Sequence, residues 1–171
     1  MTGDDERYPG FHEFVAARSS ALARSAYLLT GDAHAAEDLV QEALARVIGR
    51  WRSIAATGDP EPYVRKVLYT VFVSRWRRER RRPVDPHAAG GPDEAEEATS
   101  RVALSRSLAR LSSRQRAVLV LRFYEDLTVA ETAAVLGVST STVKSQTADA
   151  LANLRAVGGA TLASLYEGVP K

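Results

Sequence analysis

Apolar residues recur along this chain at steps of three and four, which is the spacing of one face of a helix. The pattern forms two groups. In the first group it predicts helices over residues 11–29, 32–51 and 62–82. In the second group it predicts helices over residues 101–111, 114–126, 128–136 and 140–155. The sequence therefore predicts an all-α fold of two small helical domains, the first a bundle of three or four helices.

The segment between the two groups has a different composition. Residues 83–99 contain three prolines, a pair of glycines and only acidic charges, which is typical of a flexible linker. We therefore expect a first domain at 8–82, a flexible acidic linker at 83–100 and a second domain at 101–157. The pattern assigns no role to the tail at 158–171.

Composition limits the classes of function. The net charge of the 171 residues is only +2, but residues 62–82 carry eight Lys or Arg and a single acid, Glu79. Such a local basic patch is typical of nucleic-acid binding. The absence of cysteine excludes disulfides and thiolate metal sites. No apolar run approaches the roughly 20 residues that span a bilayer, and the N-terminus does not resemble a signal peptide, so we expect a cytoplasmic protein without membrane insertion.

The helix predicted at 62–82 carries two apolar stripes, although a surface helix needs one to hold it to its core. The first stripe comprises Val64, Val67, Leu68 and Val71. The second lies among arginines and comprises Tyr69, Phe72, Val73 and Trp76. Aromatic rings stack on unpaired bases while cations follow the phosphates, so the second stripe suggests an exposed surface for single-stranded nucleic acid. The helix alone fits equally well a core helix with a solvated basic end.

The helix predicted at 32–51 has an inward seam and an opposite polar face. The seam comprises Leu39, Ala43, Val47 and Trp51, and the polar face comprises Asp38, Gln41, Glu42 and Arg46. The polar face could be a solvated surface on which Glu42 pairs with Arg46, a docking face for a protein, or a catalytic or metal site. We disfavour the catalytic or metal site.

The second group of helices contains a helix-turn-helix pattern. Small Ala133 lies where the helices cross, Gly137 marks the turn, and Val138 and Val143 pack the pair. A plain helical hairpin is the alternative. In a helix-turn-helix the second helix enters the major groove, with Lys144 near a phosphate. The residues that we expect at the DNA are Ser139, Ser141, Thr142, Lys144, Ser145 and Gln146.

The order of these features resembles that of the extracytoplasmic-function (ECF) sigma factors, and within them the SigE-like branch. The resemblance covers residues 11–155. Three motifs carry it: AEDLVQEALARV at 36–47, YVRKVLYTVFVSRWRRERRR at 63–82, and LSSRQRAVLVLRFYEDLTVAETAAVLGVSTSTVKS at 111–145. They look like the clamp-binding part of sigma region 2, its melting and minus-ten-reading helix, and region 4, which reads the minus-thirty-five element.

The resemblance implies partners and site residues. Core RNA polymerase would be contacted at its clamp coiled coil and its flap, by Asp38, Leu39, Gln41, Glu42, Arg46, Phe123 and Tyr124. The minus-ten element of promoter DNA would be contacted by Arg65, Lys66, Tyr69, Thr70, Phe72, Val73, Trp76, Arg77, Arg78, Arg80 and Arg81. The loop at 53–60, with the second stripe, would hold a flipped base. An anti-sigma factor is a common partner in the family, and no cofactor is implied.

The chain departs from the family pattern at three positions. Thr70 stands where relatives usually carry Asn, which affects the base preference, and Asp149 and Asn153 stand where relatives often carry basic residues. The rival functions are a stand-alone helix-turn-helix regulator that acts without polymerase, a structural helical protein and an enzyme. The three histidines are scattered, and the chain has neither a Ser/His/Asp nor a Gly-rich phosphate pattern, so we do not expect an enzyme.

Overall fold

The computed structural model describes residues 7–79 and 104–158, with side chains at 7–75 and 104–156. The first group of helices comprises α1 (Phe11–Thr30), α2 (Ala33–Ile48), α3 (Trp51–Ala55) and α4 (Glu61–Glu79). The second comprises α5 (104–109), α6 (Ser113–Leu119), a π-helical turn (Val120–Tyr124), α7 (Val129–Leu136) and α8 (Thr140–Gly158). The predicted linker and tail lie outside the described residues.

Local capping explains where most helices begin and end. Gly31 adopts a left-handed conformation (φ 77°) that stops α1, and its N–H donates to the Tyr27 carbonyl at 2.8 Å. Asp32 then begins α2, because its carboxylate accepts from the Ala35 N–H at 2.8 Å. The stop and restart predicted at residues 30–32 are confirmed.

Two capping boxes begin helices of the second group. Ser112 and Gln115 exchange hydrogen bonds at the start of α6, and Thr128 and Glu131 do the same at the start of α7. Gly137, with φ of 65°, ends α7 before α8 begins. The predicted turn between the two helices of the helix-turn-helix therefore lies at Gly137.

Two predicted helices end earlier than their apolar periodicity suggests. The helix expected to reach Trp51 stops at Ile48, because the Trp51 ring packs edge-on against Phe11 (centroids 5.0 Å apart) and its indole N–H donates to the Pro9 carbonyl at 2.7 Å. The helix expected over 114–126 becomes a π-helical turn after Leu119, and the Glu125 N–H donates to the Val120 carbonyl at 2.9 Å. A π-turn inserts one extra residue and so changes the direction in which the next side chains point.

The apolar core is continuous across both groups of helices. In the first group α2 packs against α1 and α4, and α4 also contacts α1. Buried residues of these contacts include Leu29, Val47 and Leu68. Leu111 and Leu121 of the second group belong to the same core. A smaller cluster holds the helix-turn-helix together and comprises Val118, Ala133 and Val143. The two predicted domains therefore pack directly against each other.

No helix within residues 7–79 and 104–158 is long and apolar enough to cross a membrane.

Candidate functional site

The polar face of α2 is at the surface, as the sequence predicts. Asp38, Gln41 and Arg46 are exposed, and Glu42 is half-buried. Leu39, by contrast, is fully buried in the core (0% exposed). Leu39 lies on the inward seam of the helix, so its side chain offers polymerase no exposed surface in this conformation.

Glu42 is the centre of an ion-pair network. Arg46 Nη2 lies 2.6 Å from its carboxylate, which confirms the predicted pair, and Arg75 Nε of α4 lies 2.5 Å from the other oxygen. Arg75 also donates to the Asp38 carbonyl at 3.1 Å. Burial by itself would raise the pKa of Glu42, but the hydrogen bonds and charges of Arg75 and Arg46 outweigh it and lower that pKa. The network fixes the polar face of α2 to α4.

Replacing Glu42 with glutamine should lower the free energy of unfolding by about 1 kcal/mol at pH 7, because two arginines lose a partly buried charged partner. The lowered pKa means that this stability is present above the ordinary glutamate value of 4.5 and is lost as the pH falls through the folded-state value. Urea unfolding at a series of pH values should show the difference between variant and wild type shrinking below pH 4.5. A difference that is independent of pH would contradict the ion-pair account.

The first apolar stripe of α4 is buried, as expected, through Val64, Leu68 and Val71. The second stripe departs from its prediction. Tyr69 (0% exposed) and Phe72 (6%) are buried, and Val73 is half-buried, so they do not form an exposed surface here.

The remaining predicted minus-ten residues have varied positions. Lys66 and Thr70 are exposed, and the Thr70 hydroxyl donates to the Lys66 carbonyl at 2.7 Å. Arg65 is half-buried and pairs with Glu61 at 3.0 Å. The structure describes the backbone of Trp76, Arg77 and Arg78, which belong to α4, but not their side chains. Arg80 and Arg81 lie outside the described residues.

Glu125, from the second group of helices, contacts the aromatic stripe at Tyr69. Its Oε1 accepts from the Ser25 hydroxyl at 2.5 Å and from the Tyr69 hydroxyl at 3.3 Å. Its Oε2 lies 3.4 Å from Arg65 Nε. Burial, followed by the charge of Glu125, raises the pKa of Tyr69 well above its ordinary value. Sequence reasoning missed Glu125, since nothing local to it indicates these partners.

Arg116 contacts the same stripe at Phe72. Its guanidinium lies over the Phe72 ring, 6.0 Å from the centroid. It donates to the Leu29 carbonyl in the first group of helices, and to the Leu108 and Ala109 carbonyls (2.8 and 3.0 Å) in the second. Burial lowers the pKa of Arg116 to about 10, so the side chain is still protonated at neutral pH.

The helix-turn-helix exposes the N-terminal part of α8. Ser141, Lys144 and Ser145 are exposed, while Val143 between them is fully buried. Thr142 and Gln146 are half-buried.

Ser139, Asp149 and Asn153 lie in or next to α8, and their positions add detail to the prediction of its DNA contacts. Ser139 has a structural role, because its hydroxyl accepts from the Thr142 N–H at 3.1 Å and so caps α8. Asn153 donates to Gln115 at 3.4 Å and thus faces α6, whereas Asp149 is exposed.

The residues predicted for the polymerase flap are the last two of the π-helical turn. Tyr124 is 45% exposed. Phe123 is half-buried and packs against the core. Within the described parts of the chain, no cluster of three or more His, Asp or Glu side chains could hold a metal ion.

Two family models and several characterised proteins match this chain. The Sigma-70 region 2 model matches residues 14–82, and the Sigma-70 region 4 model matches residues 107–156. The RNA polymerase sigma-E factor of Streptomyces avermitilis is 40% identical over 148 residues, which are 85% of this chain and 83% of the relative. The ECF RNA polymerase sigma factor SigL of Mycobacterium tuberculosis is 34% identical over 148 residues, 80% of this chain and 82% of the relative. The chain belongs to the ECF sigma factors.

Two solved structures have the same fold. The sigma factor RpoE of Bartonella quintana, in complex with the anti-sigma factor NepR, aligns with a TM-score of 0.65 at 21% identity, covering 85% of this chain and 94% of that one. CnrH, in complex with the cytosolic domain of CnrY, aligns with a TM-score of 0.59 at 22% identity, covering 86% of each chain.

The residues matched by the two family models assign the helices of this sigma factor to region 2 and region 4. Region 2 contains most of α1 and all of α2, α3 and α4, and region 4 contains α6, the π-helical turn, α7 and nearly all of α8. The contacts of Glu125 with Ser25, Tyr69 and Arg65 therefore join region 4 to region 2.

Proposed function

We propose that this sigma factor directs RNA polymerase to promoters through three separate surfaces. The polar face of α2 docks on the polymerase clamp, α4 reads and melts the minus-ten element, and α8 reads the minus-thirty-five element. The observation that carries the proposal is that α2 and α8 each bury their apolar side and expose the side that the sequence assigned to a partner. Region 4 contributes a further contact with the flap through Phe123 and Tyr124.

The minus-ten surface works by stacking and charge, without covalent chemistry. Once region 4 no longer covers them, the aromatic side chains of α4 offer faces for bases that leave the duplex, and the neighbouring cations follow the phosphates. Exposed Lys66 is available for this role, and Thr70, one helical turn further along, faces solvent where it can select a base. The factor is thus a non-catalytic initiation subunit that acts in the cytoplasm.

The minus-thirty-five surface is the N-terminal part of α8. Exposed Ser141 and Ser145 carry hydroxyls that donate to or accept from base edges, and Lys144 neutralises a phosphate. Ser139 sets the start of the helix, so it positions these residues and does not read bases with its own side chain. Asp149, further along α8, weakens contact with the backbone because it carries a like charge.

The proposed function also includes a protein partner that inhibits this sigma factor. The RpoE structure contains an anti-sigma factor bound to a protein of this fold. We propose a partner of that class here as well, one that competes with polymerase.

Reconstitution with core RNA polymerase tests the proposed function. The purified full-length chain should co-purify with core polymerase, and the complex should start transcripts at defined sites on fragmented genomic DNA, whereas core enzyme alone should not. Mapping the transcript starts would also reveal the promoter elements. Sequence-specific binding to duplex DNA by the chain alone, with no association with polymerase, would instead establish the stand-alone regulator.

A further inference from the structure

The contact between Glu125 and region 2 has the form of an occupied anion site. A single carboxylate of region 4 meets three donors, and all three belong to region 2: the Ser25 hydroxyl at 2.5 Å, the Tyr69 hydroxyl at 3.3 Å and Arg65 Nε at 3.4 Å. A carboxylate held by two hydroxyls and a guanidinium has the pattern of contacts that proteins use for phosphate oxygens.

The donors are arranged by the fold of region 2. Arg65 and Tyr69 stand one helical turn apart on α4, so their side chains lie on one face. Ser25 reaches the same point from α1 and is almost completely buried (3% exposed), and its hydroxyl also donates to the Ala21 carbonyl at 3.2 Å. These side chains are thus supported by two packed helices of region 2.

The charge around the donors also favours an anion. Arg65 pairs with Glu61 at 3.0 Å, and Arg18 pairs with the other oxygen of Glu61 at 2.7 Å. The two arginines outnumber the one acid that region 2 contributes. Glu125 supplies the remaining negative charge, and its side chain is only 15% exposed. Once region 4 moves away, the site has two hydroxyl donors and an uncompensated positive charge.

We propose that Ser25, Arg65 and Tyr69 form a binding site for a backbone phosphate of single-stranded promoter DNA, and that Glu125 occupies this site in the free protein. This inference rests on the proposed function, since Arg65 and Tyr69 belong to the minus-ten surface. Glu125 takes the place of the phosphate, and Arg116 covers the neighbouring Phe72 ring. Region 4 and single-stranded DNA therefore exclude each other, and the sigma factor masks its own melting surface until the two regions separate.

The test measures binding of single-stranded DNA by the full-length chain in the absence of polymerase. Glu125→Gln preserves the size of the side chain but removes its charge. The matched control is Asp126→Asn, which removes the same charge from the adjacent exposed residue, where φ is 53° and Asn is readily accepted. With a fluorescent oligonucleotide of mixed sequence, Glu125→Gln should raise the affinity about tenfold, since the site loses a charged competitor. Asp126→Asn should change the affinity by less than about twofold.

A second variant separates the phosphate site from a general loosening of the structure. Adding Ser25→Ala to Glu125→Gln removes a donor of the site without restoring the charge, so most of the gain in affinity should disappear. Equal gains from Glu125→Gln and Asp126→Asn, or a gain that persists in the double variant, would overturn the proposal. An unchanged affinity in Glu125→Gln would overturn it as well.

Failure of this inference can be distinguished from failure of the proposed function. Wild-type protein that supports transcription with core polymerase, together with an unaffected Glu125→Gln variant in the DNA-binding assay, would reject the masking and leave the function intact. Wild-type protein that does not support transcription would reject the function itself.

Discussion

Replacing Asp38 with arginine should abolish binding to core RNA polymerase and leave the fold intact. Asp38 is exposed on α2 beside the Glu42 network, so its side chain contributes little to the core. A charge reversal at the centre of a docking face places like charges together, which costs several kcal/mol and lowers the affinity by about 100-fold or more. Titration of the fluorescently labelled sigma factor with core polymerase measures this loss, and the urea midpoint measures the fold.

Glu37→Arg is the matched control for Asp38→Arg. Glu37 is also exposed on α2, and its side chain points about 100° around the helix from that of Asp38. The control carries the same change of charge, and we expect it to lower the affinity by less than about threefold, since an exposed rim charge has a small effect. Retained binding by Asp38→Arg would show that polymerase docks elsewhere. Equal losses in both variants would point to a general effect of charge and not to a defined docking face.

The helix boundaries that the sequence predicts well are those set by local chemistry. Asp32, Ser112 and Thr128 each bond to a backbone N–H three residues ahead, so the signal and its consequence lie within one turn. The Glu42–Arg46 pair is predictable for the same reason, because residues four apart on a helix are neighbours. The family regions and the helix-turn-helix follow from motifs of this local kind.

The covering of the aromatic stripe could not be predicted in this way. Tyr69 and Glu125 are 56 positions apart in the chain, and Ser25 and Glu125 are 100 apart. Periodicity shows that a stripe is apolar but does not show what packs on it. The π-helical turn adds a second obstacle, since its extra residue changes the direction of Glu125 relative to an unbroken α-helix. The alternative of a buried α4 stripe was therefore the correct one for Tyr69 and Phe72 in this conformation.

Arg75 was missed for a related reason. It lies 33 positions from Glu42, and nothing local to it indicates a partner on α2. The crossing of α2 and α4 shows that this arginine supports the polar face of α2.

Removing the Arg116 side chain should destabilise the protein more than any other single change described above. The Leu29 carbonyl lies in the last turn of α1 and the Ala109 carbonyl lies at the end of α5, where helix carbonyls lack partners within the helix. The Leu108 carbonyl accepts both from Arg116 and from the Leu111 N–H, the latter at 3.0 Å. A cation at two such ends is favourable, and it links region 2 to region 4. Arg116→Ala leaves the Leu29 and Ala109 carbonyls without this donor, so we expect the free energy of unfolding to fall by about 3 kcal/mol.

Arg114→Ala provides the comparison for this effect. Arg114 lies on the same helix, α6, but is exposed, so its removal should change the free energy of unfolding by no more than about 0.5 kcal/mol. Urea unfolding at neutral pH measures both variants in the full-length chain. If Arg116→Ala were as stable as Arg114→Ala, the guanidinium would not hold the two regions together. A large loss confined to Arg116→Ala would identify this buried cation as the main polar link between region 2 and region 4.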